Sequence, residues 1–536
     1  MSEGPPPNII DEPGAAAGTR SLRGDMGGGL SWMLVATLVG KVATTVAQIL
    51  LGWWLLPEHF KTFALATTIA GLVMLSKDGG IPNYLIKQGA EKYEGLSGRA
   101  FWLCFGYNML AAAVMAAVAW PVAVQYGDDK LAPMLWVMAL ALPLGTPAAV
   151  LQAKLRIDLR FKEYSALLSV SIIARQILTI VLAKLGYNEL ALTLPVVFTA
   201  LIDSLAAWWV CSDRPWLRAA RVREWGSMLS STKWLINGTV GSFTTEWGPY
   251  LVLGRLASEA TTGFYYFAYQ ITAQIGMLLS FNLHIVLMPI LTRMNHQPER
   301  QAQAFVRVLR GLTLLGSFLS LGVAVIIAPV EQLLWHGKWQ PAVVAVIIFG
   351  IFYPWRVSFA VTCAVMMAQG RFKRFSLSAW GEGLVLIAAT WLACRVKPDD
   401  LTYIALSNGV ALVITRLIVT AHTFNLTGVP LSKLPGAMIS GWLVALAASV
   451  PSFGIDSLPM WADLQAILEP KIPAAEEARA VIAMSLVCVL RAGVAGSLFV
   501  ACFVLLSRLL LAADMREAVG VVPARLRGSV VKLLKL

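Results

Sequence analysis

The chain has 536 residues, of which 57% are hydrophobic and 14% charged, and its mean hydropathy is +0.69. Soluble domains carry roughly 25% charged residues, so an ordinary soluble enzyme is excluded and a polytopic membrane protein is expected. Lysine and arginine number 43 against 30 acidic residues, a net charge of +13. Where those cations lie decides between nucleic acid, membrane orientation and an anionic substrate.

In chain order, the opening segment MSEGPPPNIIDEPGAAAGTR is rich in proline, glycine and acidic residues and lacks the positive-then-apolar order of a cleaved signal. Residues 1–28 are therefore expected to form a disordered cytoplasmic tail. Apolar stretches follow at 29–56, 60–86, 97–124, 131–152, 165–185 and 189–211, then at 228–253, 260–292, 305–334, 341–368, 376–395 and 401–424, and finally at 437–453 and 479–511. At about 20 residues per crossing they predict an all-α fold of about fourteen transmembrane helices. Barrel strands alternate over about 10 residues, so runs of this length exclude a barrel. The expected organisation is a six-span N-lobe (29–211), a basic cytoplasmic linker (212–227), a six-span C-lobe (228–424), an added pair (437–511) and a basic amphipathic cytoplasmic tail (512–536) on the anionic inner leaflet. Connections are short apart from Ser452–Ala478, and none is long enough for a folded soluble domain. The six cysteines lie in apolar runs without CxxC spacing. They read as small core residues, with no disulfide frame, metal site or cofactor expected.

With the N-terminus inside, the inner segments hold 28 cations and the outer loops nine. The bias alternates loop by loop, which places both termini in the cytoplasm and makes nucleic acid an unsuitable partner. Six cations remain within the spans: Lys41, Arg175, Lys233, Arg356, Arg416 and Arg491. Opposite them stand Asp203, Glu246 and Glu382. A cation at mid-bilayer costs from about 2.5 to above 10 kcal/mol unless it faces protein or water. Two readings follow: the cations line a cavity and bind an anion, or they form structural pairs with the three carboxylates. Lys41, Arg175 and Arg356 are the most central, and Arg491 lies outside both six-span groups. Glu246, beside Thr244, Thr245 and Trp247, is a candidate for ion coupling or gating, as are Asp203 and Glu382; a buried salt bridge is the competing role. Trp247, Tyr250, Tyr265, Tyr266 and Tyr269 suit an interfacial aromatic belt or stacking on sugar rings. His284 reads as a polar core residue, and Lys77-Asp78-Gly79-Gly80 as a helix stop.

An internal repeat is visible. Leu51, Gly52, Phe63 and Ala66 recur as Leu253, Gly254, Tyr265 and Ala268, at a constant offset of 202. Six spans return the chain to its starting side, so the two lobes are expected to be parallel repeats around a central cavity.

The stretch LLPEHFKTFALATTIAGLVMLSKDGGIPNYLIKQGA, 55–90, resembles the first hairpin of polysaccharide flippases, and LVLGRLASEATTGFYYFAYQITAQIGMLLSFNLHIVLMPILTRM, 251–294, resembles the matching hairpin of their second lobe. The chain is identified on these residues as a member of the polysaccharide transporter branch of the multidrug/oligosaccharidyl-lipid/polysaccharide exporter superfamily. Leu56 and Lys61 depart from the pattern by replacing two glycines, and Glu246 stands where many members have aspartate.

The resemblance implies a non-enzymatic flippase of the bacterial inner membrane that moves polyprenyl-diphosphate-linked oligosaccharide repeat units for O-antigen, capsule or exopolysaccharide synthesis. It implies membrane lipid and the lipid-linked oligosaccharide as ligands, a polysaccharide polymerase and co-polymerase as candidate partners, and a monomer. The added pair is a candidate lateral groove for the polyprenyl tail. A lipid II flippase fits the same span number and basic cavity. A drug/cation antiporter needs an acidic cavity, which six intramembrane cations oppose.

Overall fold

The computed structural model describes residues 36–74, 81–219, 225–273, 296–471 and 476–511, together with Leu287, Leu291 and Met294. Among these residues every regular element is a helix. The N-terminal tail, Lys77–Gly80, His284 and the basic C-terminal tail lie outside them, as does the side chain of Lys233.

The helices are α1 (Ala36–Trp54), α2 (Pro57–Met74), α3 (Ile81–Gln88), α4 (Ala90–Tyr126), α5 (Leu131–Leu144), α6 (Thr146–Ile157), α7 (Phe161–Lys184) and α8 (Leu190–Cys211). They continue as α9 (Trp225–Leu256), α10 (259–273), α11 (Pro298–Trp335), α12 (Gln340–Phe352), α13 (Ser358–Ala368), α14 (Phe372–Val396), α15 (Leu401–Thr427), α16 (Leu434–Asp456), α17 (Met460–Leu468) and α18 (Glu476–Leu510). Each expected apolar stretch falls on helix where it is described, apart from residues at its ends and Gly145 within 131–152. Among the described residues ten spans are long and apolar enough to cross a membrane, or eleven when the bent pair α5 and α6 is one span. The expected fourteen is therefore not reached by length and composition alone. The shortfall lies at α2, α9 and α10. α9 carries serines, threonines, glycines and Glu246 along its length, and only 259–273 of the eighth stretch is described.

Side-chain contacts follow the alternation of the basic loops. On the side predicted as outer, Lys61 pairs with Glu259 at 2.7 Å, Thr62 donates to Asp128 at 2.7 Å, and the Ser258 amide donates to Asp399 at 2.7 Å. On the other side Asp213 accepts from Tyr93 at 3.0 Å and pairs with Arg218 at 2.9 Å and Lys154 at 3.5 Å. Turns predicted on opposite sides make none of these contacts. The hydrogen bonds from Ser258 and Thr261 hold the Asp399 carboxyl below its ordinary range. A depressed carboxyl stabilises the fold at neutral pH and ceases to do so as pH falls through its lowered value.

The chain forms two compact units. One contains Met1–Gln48, Ser76–Val118 and Leu135–Lys233; the other contains Ile49–Leu75, Ala119–Met134 and Trp234–Leu536. In the first, the span α5–α6 bends by 44° at Gly145. Pro143 and Pro147 interrupt its ladder, and a kinked span survives in lipid only if the freed backbone groups find partners. Ser204 of α8 supplies them, donating to the Leu144 carbonyl at 2.6 Å and accepting from the Ala148 amide at 3.3 Å. In the second unit, α16 and α18 pack on α11 through Leu314, Leu321, Val444, Ala448, Phe499 and Phe503. The expected loop Ser452–Ala478 is mostly helical: α16 continues to Asp456 through Pro451, and α17 follows.

The positions of the sequence repeat occupy equivalent places. Leu51 and Leu253 each lie three residues before the end of α1 and α9. Ala66 and Ala268 are both fully buried.

Ser204→Ala removes both backbone partners at the bend. It is expected to destabilise the protein by about 1–3 kcal/mol, read as a lower thermal midpoint in detergent, with Ser204→Cys losing less.

Candidate functional site

The span 340–368 is broken in its middle. Between α12 and α13 the sequence YPWRV forms a 3-10 turn, Tyr353–Val357. Pro354 has no amide hydrogen to continue the α-helical ladder, and Trp442 donates to the Ile351 carbonyl at 2.7 Å just before the break. Irregular backbone at membrane depth persists where it is buried in protein or lines a cavity. The turn carries Arg356.

Arg356 reaches α9 and α10. Its Nη2 contacts Glu246 Oε1 at 2.5 Å and its Nη1 donates to the Tyr269 hydroxyl at 2.8 Å. The guanidinium also lies 5.4 Å and 5.5 Å from the ring centres of Tyr269 and Tyr353. The Arg356 and Glu246 side chains remain 16% and 33% exposed. They border a cavity of about 20 Å³ that also touches Tyr265 and Asn408, room for about one water. This guanidinium is held by a carboxylate yet open to polar exchange.

A second pair lies deeper. Arg416 of α15 meets Glu382 of α14 at 2.5 Å, with side chains 3% and 1% exposed, and sits 4.4 Å above the Phe359 ring of α13. The contact is an ion contact without aligned hydrogen bonds: both Glu382 oxygens and Arg416 Nε and Nη1 have no hydrogen-bond partner among the described residues. The two pairs are close enough to interact electrostatically. What brings α9 against α14 is small-residue packing, because a Cβ on Gly241 would meet the Trp380 backbone nitrogen at 2.8 Å.

Arg491 of α18 grips Asp456 of α16 with two hydrogen bonds, 2.6 Å and 3.0 Å. Asp456 belongs to the stretch read from sequence as a loop, so this partner was missed. In the other unit, α1 and α7 pack at the level of Lys41 and Arg175: a Cβ on Gly40 would meet Ile172 at 2.9 Å, and Gln176 donates to Thr44 at 3.4 Å. Lys41 is half-buried and Arg175 exposed. Asp203 of α8 accepts from Ser171 at 3.0 Å.

The aromatic residues form neither a belt nor open stacking faces. Tyr250, Tyr265, Tyr266 and Tyr269 are each no more than 4% exposed. They pack on one another and on Phe60, Phe349 and Tyr353. Their alternate placement within α9 and α10 turns them toward neighbouring helices, which hydropathy alone does not report. Tyr269 and Tyr353 also went unrecognised as partners of Arg356; Pro354 beside an arginine in an apolar run was the available signal.

A sequence profile for the family described as "Polysaccharide biosynthesis protein" matches residues 50–344. The chain belongs to that family. It is 22% identical over 289 residues to the succinoglycan biosynthesis transport protein ExoT of Rhizobium meliloti (strain 1021), covering 53% of this chain and 58% of that relative's length. Its fold is similar to the lipid II flippase MurJ in an inward closed conformation, with a TM-score of 0.60, 12% identity, and coverage of 87% of this chain and 98% of that one. It is also similar to an inward-facing multidrug resistance MATE family transporter of the MOP superfamily, with a TM-score of 0.57, 12% identity, and coverage of 74% and 98%. These likenesses establish a polytopic helical membrane fold of the MOP type.

Removing one member of the sealed pair leaves a buried charge. Arg416→Met is expected to cost about 3–5 kcal/mol, and adding Glu382→Leu to recover most of it. A double-mutant cycle of thermal or denaturant unfolding in detergent measures this. The same cycle at Arg356 and Glu246, which water reaches, is expected to give a smaller coupling.

Proposed function

We propose that the protein is a flippase that translocates polyprenyl-diphosphate-linked oligosaccharide repeat units across the bacterial inner membrane for polysaccharide biosynthesis. In this reading both termini are cytoplasmic, the lobes 29–211 and 228–424 alternate access to a shared cavity, and 437–511 forms a lateral groove for the polyprenyl tail. The chain works as a monomer beside a polysaccharide polymerase and co-polymerase. Membership of a polysaccharide-biosynthesis family, the similarity to a succinoglycan transport protein and the MOP fold support this reading.

The observation that carries it is Arg356: a mostly buried, still reachable guanidinium on a broken span, held by a carboxylate and a phenol. A diphosphate presents oxygens that match a guanidinium bidentately. It competes with Glu246 for Arg356, so the guanidinium keeps a counter-charge throughout, while the displaced Glu246 carboxylate, the more exposed of the two, turns to water or takes up a proton. Release is the reverse exchange. Glu246 therefore acts as a gate that keeps Arg356 neutralised between cycles, and it sets the affinity low enough for turnover. Lys41 and Arg175, on two packed helices of the other unit, provide a second cationic station, with Asp203 near them. Lys233 adds to the cationic set. Arg416 with Glu382 and Arg491 with Asp456 hold helices together instead of meeting substrate.

The antiporter alternative is disfavoured because Glu246 and Glu382 are each occupied by a guanidinium. The lipid II alternative keeps the diphosphate chemistry and differs in the sugar and its pathway.

A deletion strain is expected to accumulate lipid-linked repeat units at the inner leaflet and to stop exporting polymer. Arg356→Ala or Arg175→Ala should restore membrane insertion without restoring export. Full export by the Lys41, Arg175, Lys233 and Arg356 variants alike would refute the cationic path. Glu246→Gln removes the resident counter-ion, and it is expected to bind diphosphate lipid more tightly while turning over more slowly, measured by binding and export in parallel.

A further inference from the structure

Two helix C-termini meet on the side predicted as outer, and each would leave its last carbonyls without partners. α1 ends at Trp54 and α11 at Trp335. They cap each other. Lys338 Nζ donates to the carbonyls of Gly52, Trp53 and Leu55 at 3.0, 3.1 and 2.8 Å. The Trp335 and Trp339 indoles donate to the Ile49 and Gly52 carbonyls at 3.0 and 3.1 Å. In return the Trp53 indole donates to the Leu334 carbonyl at 2.5 Å.

The turn that delivers these donors is preset. His336 and Gly337 adopt left-handed backbone, φ 53° and 86°, and the Trp339 amide donates to Glu331 at 2.8 Å. Gly52 is required, because a Cβ there would overlap the Trp335 indole. Behind the caps, Trp339 stacks on Phe267 at 3.9 Å and meets Phe60 of α2 at 5.5 Å. Burial pushes the Lys338 ammonium below its ordinary value.

A helix C-terminus attracts a cation, but here the cation is lent by a segment some 283 residues away. An intramolecular stop of this length is not needed to end a helix. Water and the helix's own following residues would suffice. An open cleft of about 350 Å³, lined by Gly52, Trp53, Trp335, His336 and Lys338, also brings water to Lys338 and to the Gly52, Trp53 and Leu334 ends of the set. The bonds of Lys338 to Gly52 and Trp53 and of Trp53 to Leu334 border this cleft and have a solvent replacement within reach, whereas the Trp339 bond to Gly52 is buried, so the latch can exchange its outer bonds with water.

We infer that Lys338 is a positioning residue for transport, whose ammonium latches α1 to the α11–α12 turn and holds the outer side of the path shut until the loaded protein opens. This inference rests on the flippase reading, and it assigns the outer closure to a reciprocal helix cap instead of to a salt bridge.

The test uses the full chain in spheroplasts. Tyr266, 4% exposed and packed against Phe60 and Phe63 of α2, is replaced by cysteine and labelled from outside with a membrane-impermeant maleimide. The chain without the probe supplies the background from the native cysteines. Lys338→Met and Trp53→Phe, each removing donors while keeping bulk, are expected to raise the labelling rate about tenfold, the change that ~1.4 kcal/mol makes in an opening equilibrium. Unchanged rates in both variants would overturn the latch. Should Lys338→Met fail to reach the membrane, Trp53→Phe decides alone. Labelling does not depend on substrate, so normal export by a deletion strain would refute the flippase reading and leave the latch result standing.

Discussion

A guanidinium inside an apolar helical bundle must keep a counter-charge at contact distance, because the cost of an unpaired ion there exceeds most single packing contributions. The helices of the larger unit are arranged around that requirement. Arg356 joins the broken span 340–368 to α9 and α10, Arg416 joins α15 to α14, and Arg491 joins α18 to α16. In each case the partners come from different helices, so the charge pair fixes which faces meet. Hydrophobic contacts between apolar helices have little preference of this kind in lipid, where the tails are as apolar as leucine.

The pairs are graded by exposure, and in the proposed function that grade separates structural from functional use. Arg416 and Glu382 are sealed and poorly hydrogen-bonded. Exchange with an incoming anion would first require parting α13, α14 and α15. Arg356 and Glu246 are partly open beside a small cavity, and Arg356 lies on a turn already irregular in backbone. An anion can approach that pair without dismantling the bundle. The same logic recurs on the side predicted as outer, where Lys338 satisfies helix-end carbonyls beside an open cleft. Both places hold a cation through groups that water or a phosphate oxygen can replace.

Much of the fold was legible in the sequence. Run length located the helices, of which ten or eleven among the described residues are long and apolar enough to cross a membrane, and turns expected on one side meet at Lys61–Glu259, Ser258–Asp399 and Lys154–Asp213. The repeat at Leu51 and Leu253 marked equivalent helix ends. The site was legible only as a set of residue types. Which cation meets which carboxylate depends on the rotation of each helix about its axis, and a near-uniform apolar sequence leaves that rotation undetermined. Asp456 was misplaced because the expected span stopped at residue 453, whereas α16 runs on to Asp456. The tyrosines of α9 and α10 read as interfacial by type and are buried by orientation. Pro354, two residues before Arg356, was the one local signal for a break at the site.

The most direct measurement is flipping of a fluorescent polyprenyl-diphosphate oligosaccharide in vesicles reconstituted with the purified protein, followed as the fraction of label open to an impermeant quencher. The account predicts transbilayer equilibration that depends on the protein, that falls at least tenfold with Arg356→Gln, and that is competed by unlabelled diphosphate lipid. Equal equilibration with and without the protein, or undiminished flipping by Arg356→Gln, would contradict it.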